Sequence, residues 1–565
     1  MDDIFASDEY VKRIDKMNRY LKEYTGEWWA TEKLNDYDSK VFINYIFSTL
    51  EHQAPLLTVN RPRWHVTARL PFMQPVLEIW NKKLDYLWDK LDLDMNLQMV
   101  EKDCLLWPVG LWKVYRGEDG TCVDVVDPRT FFIFSGYHDT WGCAGCGERK
   151  LVPISWINSN YPDAKVKADD GSDINLNKSD FFDFELEDKC TVVYEVWLKD
   201  DSVEWFLEDK TSEKEFEGSE KRKKYPNGRI IIFTRDEVLL SDEASPFKHG
   251  HPPYIPFYDY KVPHSFWGMC EPTQIEELNR EDNKQLQYIV HFANTLAKKN
   301  FNVDGACGLD PETLKKTFFE GDNFYVSNPM TGGKAIEAID VGSLDMTHQN
   351  IIMMLSRFIE EETGVTDISK GMEVKKEKQT AREIATLIES TYTRIRQKVR
   401  NLEWSVKRAN YLLLSLDQQY TDEPEYFNYK ENGKTSWGLI GNNKQIANEV
   451  MTPGEQEPNE GEDDYKVRQT QEKQDYEEFL KVYGKVDKIY VDFDLEVQTN
   501  STLPMDKQSL ASLYLKLIEV KESPDSVIDK KALHEALRIP DSVEIMKRQE
   551  GEKQKIMAMK QGGKQ

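Results

Sequence analysis

Long apolar runs are missing from this 565-residue chain. No stretch of about 18 apolar residues occurs, which excludes a conventional membrane-spanning helix. The acidic start MDDIFASDEYVKRIDKMNRY lacks the apolar core of a secretory signal. A soluble, intracellular protein with no membrane partner is the expectation. Cysteine is scarce too, with seven residues at positions 104, 122, 143, 146, 190, 270 and 307. An odd, scattered set reads as reduced thiols and excludes a disulfide framework. Positive charge is in deficit, 74 Lys and Arg against 100 Asp and Glu for a net charge of -26. That excludes a general nucleic-acid coat, which needs basic surface to release counterions from phosphates. Any contact with DNA must be local or weak.

Catalytic signatures are also absent. TGGKAI and IGNNKQ fail the Gly-x4-Gly-Lys-Ser/Thr spacing that lets backbone amides surround phosphates and Lys reach the terminal ones. HEALR at 534 lacks the second His of a zinc-protease helix, and no Gly-x-Ser-x-Gly occurs. The chain reads as non-enzymatic, without a cofactor. Cys143-Ala-Gly-Cys146, with His138 upstream, is a weak metal candidate because no second close pair accompanies it. The simpler reading is a Gly-rich surface turn with incidental thiols.

What is present is foldable: 39% hydrophobic and 12% aromatic residues suffice for ordinary cores, and the length suggests three or four structural units. From about Asp38 to Leu106 the spacing predicts packed helices. At Val109 the period changes, and LWKVYRG and TCVDVVDP flank Glu118-Asp119-Gly120 as a hairpin. TVVYEVWL, EWFLE and RIIIFTRDEVLL continue a mostly β region from 107 to 262, with polar inserts at about 163–180 and 209–228.

Glu271-Pro272 opens a helix, since Pro is favoured in the first turn. Its stripe of Ile275, Leu278, Leu286 and Ile289 is interrupted by a stretch, Arg280 to Lys284, that is polar all round, so the helix reads as only partly buried along its length. A module of some forty residues follows, with a Gly-rich turn (DGACGLDP), a short helix (ETLKKTFFE), a strand in GDNFYVSNP, and a turn before KAIEAIDV. Ile352, Leu355 and Phe358 mark a second helix that stops at Thr363-Gly364. A helix of about 55 to 60 Å begins near Thr380, with apolar residues at steps of three and four as far as Leu416. Between these two helices lies GVTDISKGMEVKKEKQTARE. Lys370 to Arg408 carries eleven Lys and Arg against five Glu, in a strongly acidic chain. The cations from Arg394 to Arg408 read as a solvated helix face. Lys370, Lys375, Lys376 and Lys378 sit in the connector, where that reading explains them less well. From 421 to 503 the chain reads as irregular, with a loop at TPGEQEPNEGEDD and one strand in KIYVDFDLEVQ, and Leu503-Pro504 opens a helical C-terminal module.

The order of helix, small α/β insert, helix, charged loop and very long helix resembles the portal proteins of tailed bacteriophages, the head-to-tail connectors. The resemblance rests on VGLWKVYRGEDGTCVDVVDPRTFFI, WGMCEPTQIEELNRE, EETGVTDISKG, TAREIATLIESTYTRIRQKVRNLEW and SVIDKKALHEALRIPDSVEIMKR in that order. It implies a multidomain, ring-forming α+β portal fold. Residues 1–270 would be a mixed wing, 271–299 and 345–365 the helical stem, and 300–344 a small α/β clip. Residues 366–379 would be a tunnel loop, 380–503 the rest of the wing with the long helix at 380–420, and 504–565 a helical crown.

The implied function is a dodecamer at one capsid vertex, a channel for packaging and ejecting double-stranded DNA. Implied partners are the terminase large subunit, a tail adaptor or head-completion protein, and the major capsid and scaffolding proteins. The virion, and the host cytoplasm during assembly, would be its locations. Lys370, Lys375, Lys376 and Lys378 would face DNA; Leu314, Lys315, Phe318, Phe319, Phe324 and Tyr325 would meet the adaptor; Ile275, Leu278, Leu286, Ile289, Ile352, Leu355 and Phe358 would build the stem. Two alternatives belong to other classes: a zinc-containing nucleic-acid-processing enzyme using Cys143 and Cys146, and a coiled-coil scaffold built on the long helix.

Overall fold

The computed structural model describes residues 2–27, 40–62, 64–118, 120–167, 190–207, 219–297, 300–304, 323–327, 336–338, 346–365, 381–431, 434–450, 462–483 and 488–497. Helix and sheet are mixed, as expected for an α+β chain. Two compact units result, one drawn from residues 1–54, 104–108 and 269–395, the other from 55–103, 109–268 and 396–565.

In the second unit, alternating β-branched and aromatic runs form the expected strands. Gly110–Gly117 and Gly120–Val126 pair as an antiparallel hairpin, with Gly120 at φ 137° closing the turn where a side chain would be strained. Tyr254–Phe257 adds a third strand on the other edge of Gly110–Gly117. A five-stranded antiparallel sheet runs in the order Leu239–Ala244, Arg229–Thr234, Cys190–Leu198, Gly145–Pro153, Phe131–Ile133. The 209–228 insert also contributes a strand, Ser219–Lys223, paired with Val203–Leu207.

The long helix is Ala381–Tyr420, 40 residues, and Val399, Leu402, Val406, Ala409, Leu413 and Leu416 are buried along one face as their spacing predicts. That face is covered by the chain's own strands and helices: Ser405 donates to the Pro256 carbonyl at 2.7 Å, and Asn410 accepts from the Trp88 indole at 2.7 Å. A stripe consumed in this way is not the seam of a coiled-coil scaffold.

Two expectations are corrected here. The Asp38 to Leu106 region is not all helical, because Trp64–Ala68 is a strand paired antiparallel with Phe493–Val497. Its partner lies more than 400 residues away, beyond any sequence window. The 421–503 region is not irregular either. It holds the hairpin Glu425–Glu431 with Lys434–Ile440 and the helices Asn443–Val450 and Glu462–Tyr483. The latter, EDDYKVRQTQEKQDYEEFLKVY, is polar nearly all round and so displays no apolar period.

The first unit contains the helices Asp8–Thr25, Glu271–Ala297 and Met346–Thr363, the last two packed on each other. Ser7 caps Asp8–Thr25 by accepting from the Tyr10 amide at 3.3 Å. Gly364, at φ 69°, ends Met346–Thr363 and donates to Glu360 at 2.9 Å, the stop expected there. A small sheet lies between these two helices in sequence. Asn300–Asp304 is its central strand, parallel to Asn323–Ser327 and antiparallel to Ile336–Ala338, with Val303 buried against Phe301 and Ile336. ETLKKTFFE and the C-terminal module from Pro504 lie outside the described residues.

Candidate functional site

The paired helices carry the stripe named from the sequence. Ile275 and Leu355 are buried, and Leu278, Leu286, Ile289 and Ile352 are half-buried. Phe358 stands 41% exposed, turned out of the packed face. Met346, Met353 and Met354 are exposed on the outward side of the same helix, beside an Arg357–Glu361 ion pair one turn apart. Tyr288 and Leu296 are exposed on the companion helix. One layer of apolar side chains therefore holds the pair together, and another faces solvent.

The polar stretch Arg280 to Lys284 is only partly solvated: Glu281 is exposed and Arg280 and Lys284 are half-buried, but Asp282 and Asn283, with the adjoining Asn279, are internal. Asn279, Asp282 and Asn283 are each 0% exposed. Asn283 brackets the backbone of Ile43, accepting from its amide at 2.6 Å and donating to its carbonyl at 3.2 Å. The Tyr45 hydroxyl is bonded to Ser356 at 2.8 Å, and Gln53 donates to the Thr363 carbonyl at 3.0 Å. Polar residues here bolt the segment 43–53 to both helices, so their burial is satisfied by hydrogen bonds. Asn279 Nδ2 and the Asp282 carboxyl are the exceptions: burial pushes the Asp282 carboxyl up to about 6, and the Tyr45 hydroxyl offsets this only in part. Six residues earlier, Glu276 accepts from Tyr20 at 2.8 Å and pairs with Arg19, with Arg280 at 3.4 Å and with Lys16 at 3.6 Å. The helix Asp8–Thr25 is anchored there, a contact that no local pattern announces.

Phe324 and Tyr325 fall on Asn323–Ser327, in register with Phe301 and Asn302. Leu314, Lys315, Phe318 and Phe319, like Lys370, Lys375, Lys376 and Lys378, lie outside the described residues.

The basic face of the long helix is not uniformly solvated, which corrects that expectation. Lys398 is 2% exposed and pairs with fully buried Asp259 at 2.6 Å, below the Tyr260 ring. Arg408 makes two bonds to Asp139, at 2.5 and 2.8 Å, and its guanidinium lies 4.4 and 4.0 Å from the rings of Trp141 and Trp404. Arg400 and Lys407 do face solvent. Desolvated cations require fixed carboxylates, and these come from loops more than a hundred residues away. Cys143 and Cys146 are likewise buried, and Cys146 is on strand Gly145–Pro153 opposite Trp197, not on a surface turn. Among the described residues no group of three or more His, Cys, Asp or Glu side chains is arranged to hold a metal ion.

With an interrupted helix pair, an inserted sheet and a 40-residue helix established, comparison with known families is decisive. A family model described as the phage P22-like portal protein matches residues 11–550. The chain belongs to this portal family. No curated protein matched it. The portal family is a structural one, of the bacteriophage capsid vertex and of DNA packaging. No helix among the portal's described residues is long and apolar enough to cross a membrane.

Proposed function

We propose that this portal protein closes into a ring of twelve copies around a channel for double-stranded DNA, used in packaging and in ejection. The paired helices Glu271–Ala297 and Met346–Thr363 form the stem, residues 300–344 the clip that meets the tail adaptor, and 366–379 the tunnel loop. Residues 1–270 and 380–503 are the wing and 504–565 the crown, with terminase, capsid and scaffolding proteins docking around the ring.

The observation that carries this reading is the second apolar layer of the helix pair. Met346, Met353, Met354 and Phe358 are exposed in the single chain on an element whose other face is already packed. A ring needs head-to-tail contacts that close on themselves, and this face offers apolar surface for them. The charge balance agrees. A conduit must let DNA slide, and every neutralised phosphate adds affinity that would hold the strand. A chain of net charge -26 with one basic loop between two helices keeps such contacts few.

Particle imaging of the purified chain is expected to give rings with a central channel, whereas a monodisperse monomer under assembly conditions overturns the reading. Changing Lys375, Lys376 and Lys378 together to Ala is expected to leave rings intact and alter DNA retention. Collapse of assembly in that variant would reassign the loop to a structural role.

A further inference from the structure

A cavity of about 630 Å³ opens in the second unit where helix Gln74–Lys90, the hairpin turn around Gly120, the end of the long helix and the segment 421–425 meet. Nothing in the portal reading uses it. Its wall holds polar groups that the fold leaves unanswered. Asp417 and Thr121 are each 5% exposed, and Asp417 Oδ2 and Thr121 Oγ1 have no hydrogen-bond partner. Burial holds the Asp417 carboxyl above its ordinary range, against the pull of Lys83, Arg116 and Lys90. Two cations are equally unclaimed. Among the described residues Lys90 and Arg116 form no ion pair, and they lie 5.9 and 5.3 Å from the rings of Tyr86 and Tyr420. The other charges beside them are already used: Lys83 is bonded to Glu425 at 3.2 Å, and Lys488 to Asp422. Glu423 is exposed at the rim, where water screens it. Leu87, Leu91 and Pro424 give the cavity an apolar side.

We propose that this cavity binds a free nucleoside 5′-monophosphate. The phosphate sits between Lys90 and Arg116, whose guanidinium fork suits phosphate oxygens. A ribose hydroxyl donates to Asp417, giving a buried acceptor the partner it lacks. The base lies against Leu87, Leu91 and Pro424. An inorganic anion would answer the cations alone, and a volume of about 630 Å³ lies in the range of sites for larger organic ligands. The bound nucleotide joins helix Gln74–Lys90, the hairpin and the end of the long helix.

The test titrates AMP into the full-length chain by calorimetry. One site per chain is expected, at least about tenfold tighter for AMP than for adenosine or inorganic phosphate, because each of these answers only part of the wall. Lys90→Ala with Arg116→Ala should weaken AMP at least about tenfold while the melting temperature holds, since neither side chain is in an ion pair. Wild type should prefer AMP to its 2′,3′-dideoxy analogue, and Asp417→Ala should lose that preference. No saturable binding up to about 1 mM AMP, or an affinity unchanged in the double variant, overturns the proposal. Equal affinity for a DNA duplex bearing a 5′-phosphate overturns the assignment to a free ligand.

Discussion

Asp282 illustrates how much one residue depends on its surroundings. Its carboxyl is fully buried at the helix junction and pushed up to about 6, so the ionised form is penalised in the folded state relative to the unfolded one. The sign follows from linkage: the penalty is complete above about pH 6 and is relieved as pH falls toward the ordinary carboxylate range. Asp282→Asn is therefore expected to stabilise the portal by about 2 kcal/mol at pH 7.5, with the gain shrinking to nothing near pH 4. Urea unfolding at both pH values checks it, and a variant less stable than wild type at pH 7.5 would mean that the carboxylate is needed in its charged form. The position was visible in the sequence, but only as a charged gap in an apolar stripe. Its burial comes from residues 43–53 and from Met346–Thr363, which no window around Asp282 contains. Lys398 repeats the lesson with the opposite charge, because Asp259 decides that this cation is internal while Arg400, two residues on, is wet.

Elements were legible where periodicity is local. The helix start at Glu271-Pro272, the stop at Gly364, the long helix, and the hairpin around Gly120 all carry strong local chemistry. Trp64–Ala68 and Glu462–Tyr483 were not, one because a distant strand stabilises it, the other because it shows no apolar period. For the helix pair proposed as the stem, the outward layer predicts a separation of assembly from folding. Met353→Asp with Phe358→Asp alters exposed side chains, so the monomer's stability should shift by no more than about 0.5 kcal/mol per site. Sedimentation should nevertheless show loss of rings, since charge is introduced into a contact that must exclude water. Rings persisting in this variant would remove the face from the subunit interface.

At the scale of the whole molecule, charge sets the conditions for assembly. Copies that each carry -26 repel one another, and the Debye length falls from about 30 Å to about 10 Å between about 0.01 and 0.1 M salt. If apolar contacts close the ring, the ring fraction measured by mass photometry should rise over this range. A fall would mean that ion pairs between subunits dominate instead. Composition and element order were enough to determine that the chain is acidic, mixed in secondary structure and portal-like, because those properties are carried by local periodicity, turn residues and total charge. Only the tertiary structure decided which charges are internal, that the residues around Asp282 are a buried joint and that both thiols of the CAGC stretch are internal. Each of those facts depends on what a distant segment, or the local turn, places within a few ångströms of a side chain, and burial and pairing energies depend on that distance.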